Sequence, residues 1–166
     1  MPMVKANLLV KTLCGRKLTL ALAESMTAGL ASAKLSVYKG VADMFAGSVV
    51  CYTPEVKRKL LKVDEELINR FTCESQEVTD ALAENLSQLM KADIYAGITG
   101  LACAGGSETK QKPVGTVFFS IFFEERLYRE RKLFRGTPSE IREKACDFLY
   151  EFILDAVEKA SDQFRT

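Results

Sequence analysis

Leu18-Thr-Leu-Ala-Leu-Ala-Glu-Ser-Met-Thr-Ala-Gly-Leu-Ala-Ser-Ala33 is the stretch whose reading decides the fold. Residues 18–23 alternate large and small side chains, as a buried strand does. Ala28, Gly29, Ala31, Ser32 and Ala33 then supply the small residues that let a helix pack closely on a sheet. A strand passing directly into a helix is the repeating unit of an α/β domain.

The neighbouring segments extend that unit. Upstream, Val4, Leu8, Leu9 and Leu13 recur at helical spacing and stop at Gly15, which reads as the residue closing the helix. Downstream, residues 45–53 read as a second strand, and Thr53-Pro54 as an N-cap followed by proline at the first helical position. That helix should run through Lys62. Ser75 caps a further helix with Val78, Ala81, Leu82, Leu86, Leu89 and Met90 on its apolar face. Residues 94–98 form a short strand ending in Thr99-Gly100, and a glycine-rich loop spans 100–112. Val114 to Phe123 and Leu127 to Phe134 read as an antiparallel hairpin. Thr137-Pro-Ser-Glu140 is a capping box, followed by an apolar stripe from Ile141 to Val157. The expected architecture is α/β: a three-layer α/β/α domain over residues 1–166, with a mixed, mostly parallel sheet containing one antiparallel strand.

Composition narrows the chemistry. The 166 residues suit one domain that needs no disulfide or metal staple. With no histidine, the chain has no Ser-His-Asp or Cys-His catalysis and no His-ligated metal. Acid–base work must fall to Lys, Tyr, Asp, Glu or Cys. The 23 basic and 22 acidic side chains leave a net charge of +1, which favours neither nucleic acid nor an anionic membrane as partner. The basic run from Arg126 to Arg135 is interleaved with Glu130 and reads as a solvated strand face. The five cysteines are scattered, odd in number and form no CxxC pair, so free thiols in a reducing cytoplasm are expected. Met1-Pro-Met-Val-Lys5 lacks the order of a signal peptide, and no apolar run reaches the length of a membrane span.

Three segments can carry chemistry. In open α/β sheets, ligands sit beyond the carboxyl ends of strands, which points at Ser25, Tyr52 and Thr99. Ser25 at a strand-to-helix junction can project into a cleft, or it can simply cap the helix, worth about 1 kcal/mol. Lys57 falls four residues into the helix opened by Pro54. There the helix dipole and partial burial favour the neutral amine that a general base requires, although a solvated lysine among Arg58, Lys59 and Lys62 is the plainer reading. The glycines of the 100–112 loop permit close backbone approach to a ligand and offer N–H donors to an anion. The loop matches neither a Walker A nor a GxGxxG pattern.

Together, Ala23-Glu-Ser-x-Thr-x-Gly-Leu30, Val49-Val-x-Tyr-x-x-x-x-Lys57, Thr99-Gly-x-Ala102, Gly105-Gly106 and Lys112-Pro-Val-Gly-Thr116 resemble the CinA C-terminal domain family. Its stand-alone members act as nicotinamide-nucleotide amidases. The resemblance implies metal- and cofactor-free hydrolysis of the carboxamide of nicotinamide mononucleotide, with Ser25 as nucleophile and Tyr52 and Lys57 as its partners. It implies Thr27, Gly29, Thr99, Gly100, Gly105 and Gly106 as residues that hold the nucleotide, and assembly as a homo-oligomer. Cys51 and Cys103 lie near the implied site but read as packing residues. Several positions depart from the family pattern: Met26 for cysteine, Ala28 and Ser48 for glycine, Pro54 for asparagine, and Cys103-Ala104 for Gly-Pro. The Gly-Asp-Arg that commonly opens the last helix is Gly136-Thr-Pro138 here, although Arg142 remains. Extra methyl groups at Ala28 and Ala104 would narrow the pocket. These departures keep open two other readings: a relative that binds a nucleotide or a partner protein without turnover, and an amidase for a different small amide.

Overall fold

The computed structural model describes residues 2–162; the side chains of residues 2–4, Val4 among them, lie outside the described residues, as do Met1 and residues 163–166. The elements run α1 (Pro2–Arg16), β1 (Leu20–Glu24), α2 (Leu30–Leu35), α3 (Val41–Met44), β2 (Phe45–Val50), α4 (Pro54–Leu61), α5 (Glu65–Phe71), α6 (Gln76–Leu89), β3 (Ile94–Gly100), β4 (Thr116–Phe123), β5 (Arg126–Leu133) and α7 (Pro138–Asp162). The sheet has the order β2-β1-β3-β4-β5. β1 pairs in parallel with β2 and β3, whereas β4 is antiparallel to both β3 and β5. One strand, β4, therefore opposes the other four, as the hairpin predicts.

Strand alternation splits the core between two helical layers. Leu20 and Leu22 of β1 face the α1, α2, α3 and α7 layer, with Leu9, Leu13, Leu149 and Ile153 among their neighbours. Ala21 and Ala23 face the other layer, with Leu61, Val78, Leu82 and Leu86. The alternation of large and small in β1 thus matches two layers at different distances. α6 comes so close to the sheet that a Cβ on Gly97 would lie 2.7 Å from the Thr79 carbonyl oxygen. No helix among the described residues is long and apolar enough to cross a membrane.

Local chemistry fixes most boundaries. Thr53 Oγ1 accepts from the Val56 N–H and Ser75 Oγ from the Val78 N–H, each at 3.3 Å. Thr137 and Glu140 form the reciprocal capping box, with the Thr137 N–H donating to Glu140 at 2.7 Å. The hairpin turns on Glu124 and Glu125, both at positive φ, as a two-residue turn requires. β5 is an edge strand that exposes Arg126, Arg129 and Arg131.

Several boundaries differ from the sequence reading. α1 continues through Gly15, and Lys17 is the left-handed residue, with the Leu18 N–H bonded to the Leu13 carbonyl at 3.0 Å. The extension through Arg16 lets its guanidinium donate to the Val157 carbonyl and Ser161 Oγ of α7. α2 begins only at Leu30, because Ala28 and Gly29 are both left-handed. β2 stops at Val50, since Thr53 already caps α4. α3, with four residues, and α5, with seven, are too short to show a helical period, and α5 buries no residue.

Candidate active site

The registers Glu24↔Val50 and Glu24↔Ile98 align the carboxyl ends of three parallel strands. Ser25, Cys51 and Thr99 therefore emerge at one edge. Ser25 leaves β1 with its N–H bonded to the Ile98 carbonyl at 3.1 Å, so this residue is the hinge of the strand-to-helix turn. It does not cap α2: Gly29 holds that position, without a side-chain cap.

Lys57 reaches Ser25 from the fourth position of α4. Its Nζ lies 3.0 Å from Ser25 Oγ, 2.7 Å from the Cys51 carbonyl and 3.3 Å from the Tyr52 carbonyl. The side chain is wholly buried, and no carboxylate pairs with it among the described residues. Three acceptors match the three protons of an ammonium. The same geometry serves a neutral amine, which donates to the two carbonyls and turns its lone pair toward the Ser25 hydroxyl. That second arrangement is the one that can accept the serine proton.

Tyr52 is placed differently. It lines the cavity mouth and is 55% exposed, and what it gives Lys57 is a carbonyl oxygen rather than its phenol. The direct Lys57–Ser25 contact leaves no gap for a phenol to bridge.

Beneath Ser25 lies a group that the sequence reading left without a role. The Glu24 carboxylate is fully buried and accepts six hydrogen bonds, from Thr27 Oγ1, the N–H groups of Gly29, Ala31 and Ser32, Ser32 Oγ and Ser48 Oγ. An anion at a helix start, met by converging N–H groups, is favourable despite its burial. The available signal was an acidic residue at a strand end followed by Thr-x-Gly. Two implied nucleotide-binding residues, Thr27 and Gly29, are thereby spent on Glu24 and do not line the cavity. Thr99 is also internal, its hydroxyl 2.7 Å from that of Thr79.

The remaining implied residues form the opposite wall. Gly100, Gly105 and Gly106 line a cavity of about 260 Å³ with Ser25 and Tyr52, at the small end for a small-molecule site. Gly100 cannot carry a side chain, because a Cβ would lie 2.7 Å from the Thr116 carbonyl oxygen. Lys112 fastens this wall, its Nζ donating to Thr72 Oγ1, the Glu74 carbonyl and Ser107 Oγ at 2.7–2.9 Å. Burial pulls the Lys112 pKa below the ordinary lysine range. Arg142 and Glu74 are the charged side chains on the cavity surface. Arg142 Nε donates to the Met26 carbonyl at 2.8 Å, and its guanidinium forms no ion pair among the described residues.

The cysteines separate clearly. Burial pushes the Cys51 thiol up to about 11, which removes it as a nucleophile at neutral pH. Cys103, read as a packing residue, is instead exposed on the cavity wall, because the loop there has left the sheet. Among the described residues, no three Cys, Asp or Glu side chains gather as a metal site.

A model of the CinA C-terminal domain matches residues 4–157. The chain belongs to this family. It is 39% identical over 142 residues to a CinA-like protein of Petrotoga mobilis, covering 85% of this chain and 35% of the relative. A CinA-like protein of Thermotoga neapolitana is 36% identical over 140 residues, covering 84% and 34%. The chain thus spans about a third of the length of these relatives. Among solved structures, competence damage-inducible protein A from Klebsiella pneumoniae superposes with a TM-score of 0.90 at 25% identity, covering 95% of this chain and 97% of that one. A competence or damage-inducible protein from Enterobacter asburiae gives 0.88 at 28% identity, covering 94% and 98%.

Position by position, the departures from the family pattern acquire physical meanings. Ala28 lies outside the cavity, exposed and at φ 50°, so its methyl strains the backbone rather than narrowing the pocket. Ala104 and Met26 do line the cavity. Ser48 adds a sixth donor to Glu24, at 3.0 Å. Pro54 occupies the first position of α4, where its missing N–H costs nothing.

Proposed function

We propose that this chain hydrolyses the carboxamide of nicotinamide mononucleotide to nicotinic acid mononucleotide and ammonia. The observation that carries the reading is Lys57 Nζ, 3.0 Å from Ser25 Oγ and wholly buried, in a chain with no histidine. A hydroxyl becomes a useful nucleophile only when a base takes its proton, and Lys57 is the base within reach.

In the proposed reaction Ser25 Oγ forms a bond to the amide carbon as its proton passes to Lys57. The Met26 N–H, next after the nucleophile and bonded to no described residue, is the favoured donor to the oxyanion, since the Ser25 N–H is committed to Ile98. Lys57 returns the proton to the departing nitrogen, the C–N bond breaks and ammonia leaves. Water then attacks the acyl carbon as Lys57 takes one of its protons, the bond from that carbon to Ser25 Oγ breaks to release the acid, and the proton restores the Ser25 hydroxyl. Arg142 supplies the positive charge that suits a phosphorylated substrate.

The test is ammonia release from nicotinamide mononucleotide by purified protein, compared with S25A and K57A. Turnover in the wild type and its loss in both variants is expected. Turnover unaffected by either substitution would overturn the mechanism. Calorimetric binding without any ammonia would replace the enzyme by a nucleotide-binding relative.

A further inference from the structure

Two charges of opposite sign line one cavity. Arg142 and Glu74 border it with Ser25, and among the described residues neither belongs to an ion pair, with the other or with any third group. The guanidinium suits the phosphate of the proposed substrate. The proposed reaction gives the Glu74 carboxylate no part.

Glu74 is half-buried and held in place. It immediately precedes Ser75, the N-cap of α6, and its own carbonyl accepts from Lys112 Nζ at 2.9 Å. From that fixed backbone the side chain reaches the loop wall, where Oε2 accepts from the hydroxyl of Ser107, the neighbour of the cavity-lining Gly106. Its other oxygen, Oε1, accepts no hydrogen bond among the described residues. Lys112 meets the carboxylate only through Ser107, to whose Oγ its Nζ donates at 2.8 Å, so no cation neutralises Glu74 by direct contact. A carboxylate on a partly closed cavity, with one oxygen unused, favours a cation there and disfavours an anion.

A nicotinamide joined to ribose through its ring nitrogen is such a cation, a pyridinium with a fixed positive charge. Its reduced, dihydropyridine form keeps the carboxamide and the phosphate and loses the ring charge. The acid product keeps the pyridinium and gains a carboxylate. We infer that Glu74 is a specificity-determining residue that reads the ring charge. It favours the oxidised mononucleotide over the reduced one, and the amide substrate over the acid product, in which the new carboxylate offsets the ring. Arg142 meets the phosphate common to all three and separates none of them. The identity of the ligand rests on the amidase reading.

Titration calorimetry with oxidised and reduced nicotinamide mononucleotide tests this, in S25A so that neither is consumed, with and without E74Q. Glutamine keeps an oxygen for Ser107 and removes only the charge. S25A should bind the oxidised form about tenfold more tightly than the reduced one. Adding E74Q should abolish that preference through weaker binding of the oxidised form, whereas a merely structural role would weaken both forms alike. With Ser25 intact, E74Q should raise KM for nicotinamide mononucleotide and leave the inhibition constant of nicotinic acid mononucleotide nearly unchanged. A ratio of the two dissociation constants that is the same with and without E74Q overturns the inference, and so does a failure of both forms to bind. If wild type releases no ammonia and the ratio still collapses in E74Q, the amidase reading fails and the role of Glu74 stands. If ammonia is released and the ratio does not move, the amidase reading stands and the role of Glu74 fails.

Discussion

The cavity has two unlike walls. One, formed by the turn after β1 and the start of α4, is densely bonded around the buried side chains of Glu24, Ser25 and Lys57: Glu24 accepts six hydrogen bonds and Lys57 meets three acceptors. The other, residues 101–112, has left the sheet, is largely exposed, and is held at a few points such as Lys112 and the Thr109–Lys112 pair. The proposed reacting pair, Ser25 and Lys57, stands on the first wall, and the N–H groups of Gly105 and Gly106, which hold the Glu108 carboxylate, belong to the second. Proton transfer tolerates little displacement, and a densely bonded wall suits the proposed transfer from Ser25 to Lys57. Ligand entry needs give, and glycine supplies it.

Removing the chemistry from the rigid wall should produce the largest effect. S25A should lower ammonia release from nicotinamide mononucleotide to background, and K57A should lower kcat by about 10²–10⁴-fold, the range for a lost general base. Comparable losses from substitutions confined to residues 101–112 would erase the distinction between the walls. Next in size is E24A, which strands buried donors around an empty site. Chemical denaturation should show a loss of about 3 kcal/mol or more, whereas E108A on the exposed wall should leave the midpoint near wild type.

Cys51 gives the rigid wall a pH signature. Burial pushes its thiol up to about 11 from an ordinary value of 9.0. A raised thiol pKa means that folding favours the protonated form. Its contribution is fully present below pH 9 and is lost as pH rises through 11. Stability measured over that window should fall less steeply in C51A than in wild type; identical slopes would show that Cys51 does not feel its burial. The smallest effect belongs to A28G. Relieving a left-handed alanine should raise stability by about 1 kcal/mol, with no change in KM, because residue 28 lies outside the cavity.

Much of this arrangement was legible in the residues. Alternation in Leu18–Ala23, the caps at Thr53 and Ser75 and the capping box at Thr137 are local signals, and each marks an element of the structure. The glycines at 100, 105 and 106 do line the cavity. Thr27, Gly29 and Thr99 carry the same kind of signal and do not, because a hydroxyl or N–H near a strand end serves an internal partner as readily as a ligand. The choice between those uses lay in the burial of Glu24 and Thr79, which no spacing reports. Gly15 failed as a helix stop for a related reason: contacts between Arg16 and α7 favour continuing the helix through Arg16.

The sequence by itself determined the layered α/β architecture, the absence of an imidazole base and the set of side chains from which the proposed pair is drawn. These follow from composition and from periodicities of two and 3.6 residues, both properties of short stretches of chain. Only the tertiary structure decided that Lys57 touches Ser25 directly, that Tyr52 contributes a carbonyl, and that Glu108 rests on the glycine N–H groups. Those are meetings between residues brought together by strand register and helix docking, and a distance of 3.0 Å across 32 residues of chain exists only once the sheet has formed.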